Sequence, residues 1–345
     1  MMMRMQAPMA DARTILVVAP NWLGDAVMAL PAIADVRLQH GDARIIVAAR
    51  RSVADLFAMV PGIDRVIVDP DAAALRESRA GVAILLPNSF ASAWLVKRAG
   101  ISERWGYAAD LRSWMLTRAI RKPRALVHQG EYYQHLIREL GIGTGLREPV
   151  IAVPPAAVKD ARNLLAQGGC DDVNRLIVLA PGAAYGKAKQ WIPSHVVDLV
   201  THLVRERLAT CVLVGSRGDA ETTRTIRDAV PDDSQSGVID LAGRTTLSLL
   251  AGVLSLARVC VSNDSGAMHL AAAAGVPVVA IFGSTNESAT SPLTRTGVST
   301  EVLTHPVWCR PCMLRECPID HRCMTGIDAV SVLASIDRLA ERSSL

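Results

Sequence analysis

The feature that most constrains this chain is a rhythm: short β-branched apolar runs, each followed by a stretch with helical spacing, in two series. The first series is Thr14–Ala19, Arg44–Ala48, Arg65–Asp69 and Val82–Pro87, and the second is Leu176–Pro181, Thr210–Ser216, Val238–Gly243, Ala257–Asp264 and Pro277–Gly283. Near-continuous apolar strands between helices are buried on both faces, which requires a parallel sheet. Two series predict an α/β chain with two Rossmann-like, doubly wound domains facing across a cleft, each presenting its strand C-termini as a ligand site. The Gly- and Pro-rich stretch Gly141–Pro155 interrupts the rhythm and reads as the linker. The expected domains are therefore 1–155 and 156–345, a division that suits 345 residues. A last helix, Asp328–Arg342, places Val330, Val332, Leu333, Ile336 and Leu339 on one apolar face.

Composition narrows the class further. Half the residues are apolar and 20% charged, with 37 basic against 33 acidic side chains, so a disordered chain is excluded. No stretch approaches the roughly 20 apolar residues of a membrane-spanning helix. The most apolar window, Leu247–Val261, is broken by Gly252 and Arg258. Met1–Arg13 lacks the plan of a secretory signal. The expectation is a cytoplasmic protein with reduced cysteines, whose membrane contact, where it has any, is peripheral.

Three loops carry the chemistry. After the first run comes Pro20-Asn21-Trp22-Leu23-Gly24-Asp25. It has no GxGxxG, which removes most of the support for a dinucleotide dehydrogenase. Gly24 permits close backbone approach, and Asp25 is either a helix N-cap or a carboxylate able to take a proton from a substrate hydroxyl. After the first run of the second series comes Pro181-Gly182-Ala183-Ala184-Tyr185-Gly186-Lys187-Ala188-Lys189, which holds two of the chain's five lysines in a small-residue turn suited to phosphates. Ser262-Asn263-Asp264-Ser265-Gly266-Ala267-Met268-His269 joins a buried strand to a small-residue helix. The N-terminus of that helix suits a pyrophosphate; Asp264 or Ser265 as a plain cap is the alternative, and His269 is equally a core histidine or a phosphate ligand.

Two further regions stand out. Between residues 97 and 124, Lys97, Arg98, Arg104, Arg112, Arg118, Arg121, Lys122 and Arg124 face only Glu103 and Asp110, with Trp94, Trp105, Tyr107 and Trp114 interleaved. This pattern fits an anionic sugar, a membrane surface, single-stranded nucleic acid or a solvated basic face over core aromatics. Of seven cysteines, Cys170, Cys211 and Cys260 are isolated in apolar surroundings and read as core residues. Cys309, Cys312, Cys317 and Cys323 cluster with His305 and His321. They open with CxxC but lack a second one, so packed, reduced thiols are favoured over a Zn2+ site.

In combination and order, NWLGDAVMALPAI, APGAAYGKAKQWIP, NDSGAMHLAAAAGVPVVAIFGST and CRPCMLRECPIDHRC resemble the bacterial ADP-heptose:lipopolysaccharide heptosyltransferases, glycosyltransferase family nine. The cysteine-bearing segment is most similar to the branch that adds the second heptose of the inner core. The resemblance implies a GT-B fold with an N-terminal acceptor domain and a C-terminal ADP-heptose domain that carries the Cys-rich loop 305–325. It implies inverting transfer of L-glycero-D-manno-heptose from ADP-heptose to a Kdo-lipid A precursor bearing one heptose, at the cytosolic face of the inner membrane. By match to the family motifs, Asp25 is the general base, and Lys189, Asp264, Ser265, Gly266 and His269 serve the donor diphosphate. Glu221 is similar to a donor-ribose carboxylate, while Asn21, Gly24, Arg104 and Arg112 are acceptor-side candidates. No cofactor is implied, a Mg2+ requirement is left open, and nucleic acid is set aside as a partner. First-heptose transfer and sugar-nucleotide epimerisation are the rival readings.

Overall fold

A computed structural model describes residues 14–143 and 145–342. The chain forms two compact units, one running to Val150 and the other from Ile151. The first holds a six-stranded parallel sheet: β1 (Thr14–Val18), β2 (Arg44–Ala49), β3 (Arg65–Val68), β4 (Val82–Leu85), β5 (Glu103–Tyr107) and β6 (Arg118–Ile120). The second holds another: β7 (Leu176–Ala180), β8 (Thr210–Leu213), β9 (Val238–Asp240), β10 (Val259–Asn263), β11 (Val278–Phe282) and β12 (Thr300–Thr304). The nine expected strands are all present.

The spatial orders are β3-β2-β1-β4-β5-β6 and β12-β11-β10-β7-β8-β9. Counted within each unit these are the same doubly wound order, with the direction of winding reversing between β1 and β4 and between β7 and β10. Ligands of such sheets bind beyond the strand C-termini at the reversal. The loops after β1, β7 and β10, which stood out in the sequence for their composition, all lie at these two points.

The central strands earn their place by burial. Ile15, Leu16, Ile45, Ile46, Val47, Ala83, Ile84 and Leu85 are all but inaccessible in the first sheet, as are Val178, Val212, Leu213, Cys260, Val278 and Val279 in the second. Three strands were not foreseen. β5 reads ERWGY and β6 is a three-residue edge, so neither shows a β-branched run, and β12 (TEVLT) is a half-polar edge strand. Trp105 and Tyr107, read with the basic stretch, are consequently core residues.

Between Gly141 and Pro154 the described residues form neither helix nor strand. The helix Pro155–Gln167 belongs to the second unit, where it packs on the helix Leu247–Ser255. The final helix, Ala329–Arg342, lays Val332, Ile336 and Leu339 into the core of that unit. Val330 departs from the expected face and is exposed. Met1–Arg13 lies outside the described residues. No helix among the described residues is long and apolar enough to cross a membrane.

Candidate active site

In the second unit, the two loops at the reversal are fastened together by one side chain. Asn263, at the end of β10, donates from Nδ2 to the carbonyls of Pro181 (2.6 Å) and Gly182 (3.3 Å) and accepts from the Trp191 N–H at 3.1 Å. Next to it, Asp264 receives Lys189 Nζ at 2.6 Å and Thr285 Oγ1 at 2.7 Å on the same carboxylate oxygen. The pair is largely withdrawn from water, with 14% of the lysine and 6% of the aspartate side chain exposed. An ammonium so held is fixed in place beside the strand ends while keeping further N–H donors. The Asp264 carboxylate therefore positions Lys189; it does not cap the helix that follows.

That helix, Gly266–Ala273, starts after Ser265, whose hydroxyl lies 3.1 Å from Ser262 Oγ and makes no cap bond. The cap reading thus fails for both Asp264 and Ser265. The helix N-terminus presents its first-turn N–H groups without a side-chain cap bond from Ser265, an arrangement suited to phosphate oxygens. His269 is buried within the helix. Glu221 is exposed in the first turn of the helix Ala220–Ala229. The carboxylate that faces the loop after β7 is Asp219, bound by the Ser216 N–H (2.8 Å) and Oγ (2.7 Å); a Cβ at Gly182 would collide with it.

The cysteine-bearing segment braces this loop. Ala188 N–H donates to the Arg315 carbonyl (2.9 Å), and Tyr185 Oη donates to the Met313 carbonyl (2.8 Å). A ring nitrogen of His321 lies 3.0 Å from the Ala188 carbonyl. Arg310 donates to the Gly283 carbonyl (2.9 Å) and Glu287 Oε2 (2.7 Å), steadying the turn that supplies Thr285. The Tyr185 ring has Lys189 Nζ at 4.8 Å and the Arg315 guanidinium at 5.2 Å from its centre. Tyr185, Asn263, Thr285 and Arg315 were missed as site residues; only the two cations flanking a small-residue turn gave any signal. Cys309, Cys312, Cys317 and Cys323 line one small cavity with His321. Among the described residues, however, no three His, Cys, Asp or Glu side chains come together in a group able to hold a metal ion.

In the first unit, the helix Leu23–Met28 follows β1 with Trp22 at its N-cap and no side-chain cap bond. Asp25 is the third residue inside the helix, so it is not the N-cap; its half-buried carboxylate lies in the first turn, where the helix dipole favours negative charge. Burial and then the Asp25 charge hold the Tyr133 phenol well above its ordinary range, which puts Asp25 close to the helix Gln129–Glu139. Asn21 is exposed and Gly24 half-buried beside it.

Both acceptor-side candidate arginines brace the backbone around them. Arg112 is fully buried, donating to the carbonyls of Tyr107 (3.0 Å) and Pro87 (2.5 Å) and to Ser92 Oγ (3.1 Å); burial lowers its pKa to about 10. Arg104 donates to the carbonyls of Met115 (2.6 Å), Ile101 (2.6 Å) and Ser102 (2.8 Å). Each spends most of its bonded donors on backbone oxygens, while Arg112 Nη2 is buried without a hydrogen-bond partner among the described residues.

Twin doubly wound units, one ending on a phosphate-type loop pair and the other on a first-turn carboxylate, have the build of a GT-B glycosyltransferase. The sequence profile of glycosyltransferase family 9 (heptosyltransferase) matches residues 72–322. The chain belongs to that family. It is 30% identical over 310 residues to a lipooligosaccharide heptosyltransferase 2 of Haemophilus ducreyi, covering 82% of this chain and 87% of that protein. It is 30% identical over 299 residues to the lipopolysaccharide heptosyltransferase 2 of Escherichia coli, covering 81% and 85%. The solved structure of E. coli ADP-heptose lps heptosyltransferase II superposes with a TM-score of 0.83 at 26% identity, over 96% of this chain and all of that one.

Proposed function

We propose that this protein is an inverting heptosyltransferase of the second-heptose type, moving L-glycero-D-manno-heptose from ADP-heptose to the first heptose of a lipopolysaccharide inner-core precursor. The observation that carries the reading is the match, over about four-fifths of the chain, to proteins named heptosyltransferase 2. The site chemistry agrees with it. An acceptor hydroxyl is a weak nucleophile until a base takes its proton, and departing ADP needs its growing negative charge offset.

Asp25 is the base on this reading, and Lys189 with the uncapped N-terminus at Ser265 and Gly266 receives the diphosphate. The acceptor oxygen forms a bond to the anomeric carbon as the bond to the diphosphate oxygen breaks; the hydroxyl proton passes to Asp25 and ADP leaves with the bonding pair. One displacement inverts the anomeric centre, and the residues named supply the base and the charge without a cofactor. Tyr185, held by the cysteine-bearing segment, is part of the donor loop. Because the proposed acceptor is lipid-anchored, the enzyme works peripherally at a membrane.

The test is incubation with ADP-heptose and acceptors bearing no heptose or one, followed by mass measurement. Gain of one heptose on the singly heptosylated acceptor alone is expected. Extension of the heptose-free acceptor would establish first-heptose transfer instead, and a changed donor with no acceptor product would establish epimerisation.

A further inference from the structure

The first unit carries a surface that the transfer chemistry does not use. On the helix Phe90–Arg98, Ala93 and Val96 face the core, while Phe90 and Trp94, one turn apart, are each 44% exposed and stack on one another at 6.5 Å. A turn further on, Lys97 Nζ sits 3.9 Å above the ring of Trp114, itself 61% exposed. Leu111 and, beyond the edge strand β6, Leu126 are more exposed still. Arg98, at the end of the same helix, is exposed, as are Arg121, Lys122 and Arg124, which directly follow the edge strand β6.

Elsewhere on the protein some surface arginines are paired, as Arg51 with Asp69, Arg138 with Glu131, Arg205 with Asp233, Arg207 with Asp337 and Arg338 with Glu301. Others, such as Arg44, Arg65 and Arg258, are exposed without a salt bridge but, among the described residues, also without a ring contact to an indole. Among the described residues, Lys97, Arg98, Arg121, Lys122 and Arg124 have no carboxylate partner. Exposed indoles beside unpaired cations match the interfacial layer of a bilayer: the rings settle at headgroup depth and the cations meet anionic phosphates. Base stacking on nucleic acid needs free ring faces. Here Lys97 sits over one face of Trp114, and Phe90 and Trp94 lie near-parallel, so each ring already has a neighbour on one side.

We infer that the exposed Phe90, Trp94, Leu111 and Trp114, together with the cations that follow β6 at 121, 122 and 124, dock the protein on an anionic phospholipid bilayer. The inference rests on the peripheral reading above and assigns it to particular residues. The full chain is sedimented with vesicles of phosphatidylcholine alone and of phosphatidylcholine with phosphatidylglycerol, across a salt series. Binding at least roughly 10-fold tighter to the anionic vesicles, weakening with salt, is expected. The triple variant Arg121→Glu/Lys122→Glu/Arg124→Glu should lose about 100-fold of that binding, and Trp94→Ser/Trp114→Ser about 10-fold. Both should keep the wild-type melting temperature and wild-type transfer to a soluble, delipidated acceptor.

Vesicle binding that these variants leave unchanged overturns the assigned surface but not the peripheral reading, whereas no vesicle binding by the wild-type chain overturns both. Loss of transfer to the soluble acceptor would make the surface an acceptor site. Tighter binding to a single-stranded oligonucleotide than to anionic vesicles would make it a nucleic-acid site.

Discussion

Lys189 illustrates how single residues are decided by partners far off in sequence. Its ammonium is fixed by a carboxylate 75 residues away, and that carboxylate by a threonine 21 residues further on. Lys189→Met should raise the KM for ADP-heptose by roughly 10- to 100-fold, the worth of a charge-assisted hydrogen bond, as read from initial rates over a donor series. Asp25→Asn keeps the side-chain shape and removes the proposed base. It should bind ADP-heptose as the wild type does while kcat falls by about 10²- to 10⁴-fold, and undiminished turnover would remove Asp25 from its role. The types of both residues were legible because a carboxylate at a helix start and lysines in a small-residue turn state their chemistry locally. The clamp by Asn263 and the bracing bonds of Arg104 and Arg112 were not legible, because whether a donor meets an anion or a carbonyl depends on residues brought near only by folding.

At the scale of elements, close packing sets what each segment tolerates. In the second unit the helices Pro155–Gln167 and Leu247–Ser255 approach so closely that a Cβ at Gly252 would strike the Ala157 carbonyl. Gly252→Val should therefore cost about 1–3 kcal/mol and lower the melting temperature measured by circular dichroism. The sequence presented that glycine only as a break in an apolar window. The cysteine-bearing segment was conspicuous by composition, yet its place against the loop Tyr185–Lys189 comes from hydrogen bonds to backbone carbonyls that no spacing announces. Its thiols differ by burial: Cys312 and Cys317 are exposed, Cys309 is half-buried and Cys323 is buried. Burial pushes the Cys211 and Cys260 thiols up to about 12, so they stay protonated at neutral pH. Thiol titration of the native protein should show Cys309, Cys312 and Cys317 reacting first and the remaining four only on unfolding. Prompt reaction of all seven would contradict this burial pattern.

At the scale of the whole molecule, each unit has its own sheet and its own buried core. Residues 151–345 expressed alone should fold cooperatively and bind ADP in calorimetry, because Lys189, Asp264, Thr285, Asn263 and the helix after Ser265 all belong to that unit; an unfolded product, or a folded one that ignores ADP, would refute it. What the sequence determined by itself was the number and class of these units, since strands buried on both faces must be apolar throughout and helices between them must repeat every three to four residues. It also marked the loops after β1, β7 and β10 by their composition. Only the tertiary structure decided the strand order, and with it that those loops fall at the two points where winding reverses. It likewise decided which charges are spent inside the protein and which remain at its surface. Periodicity records whether a side chain is buried, whereas a charge's role depends on the partner it meets, and that partner is chosen by contacts between residues distant along the chain.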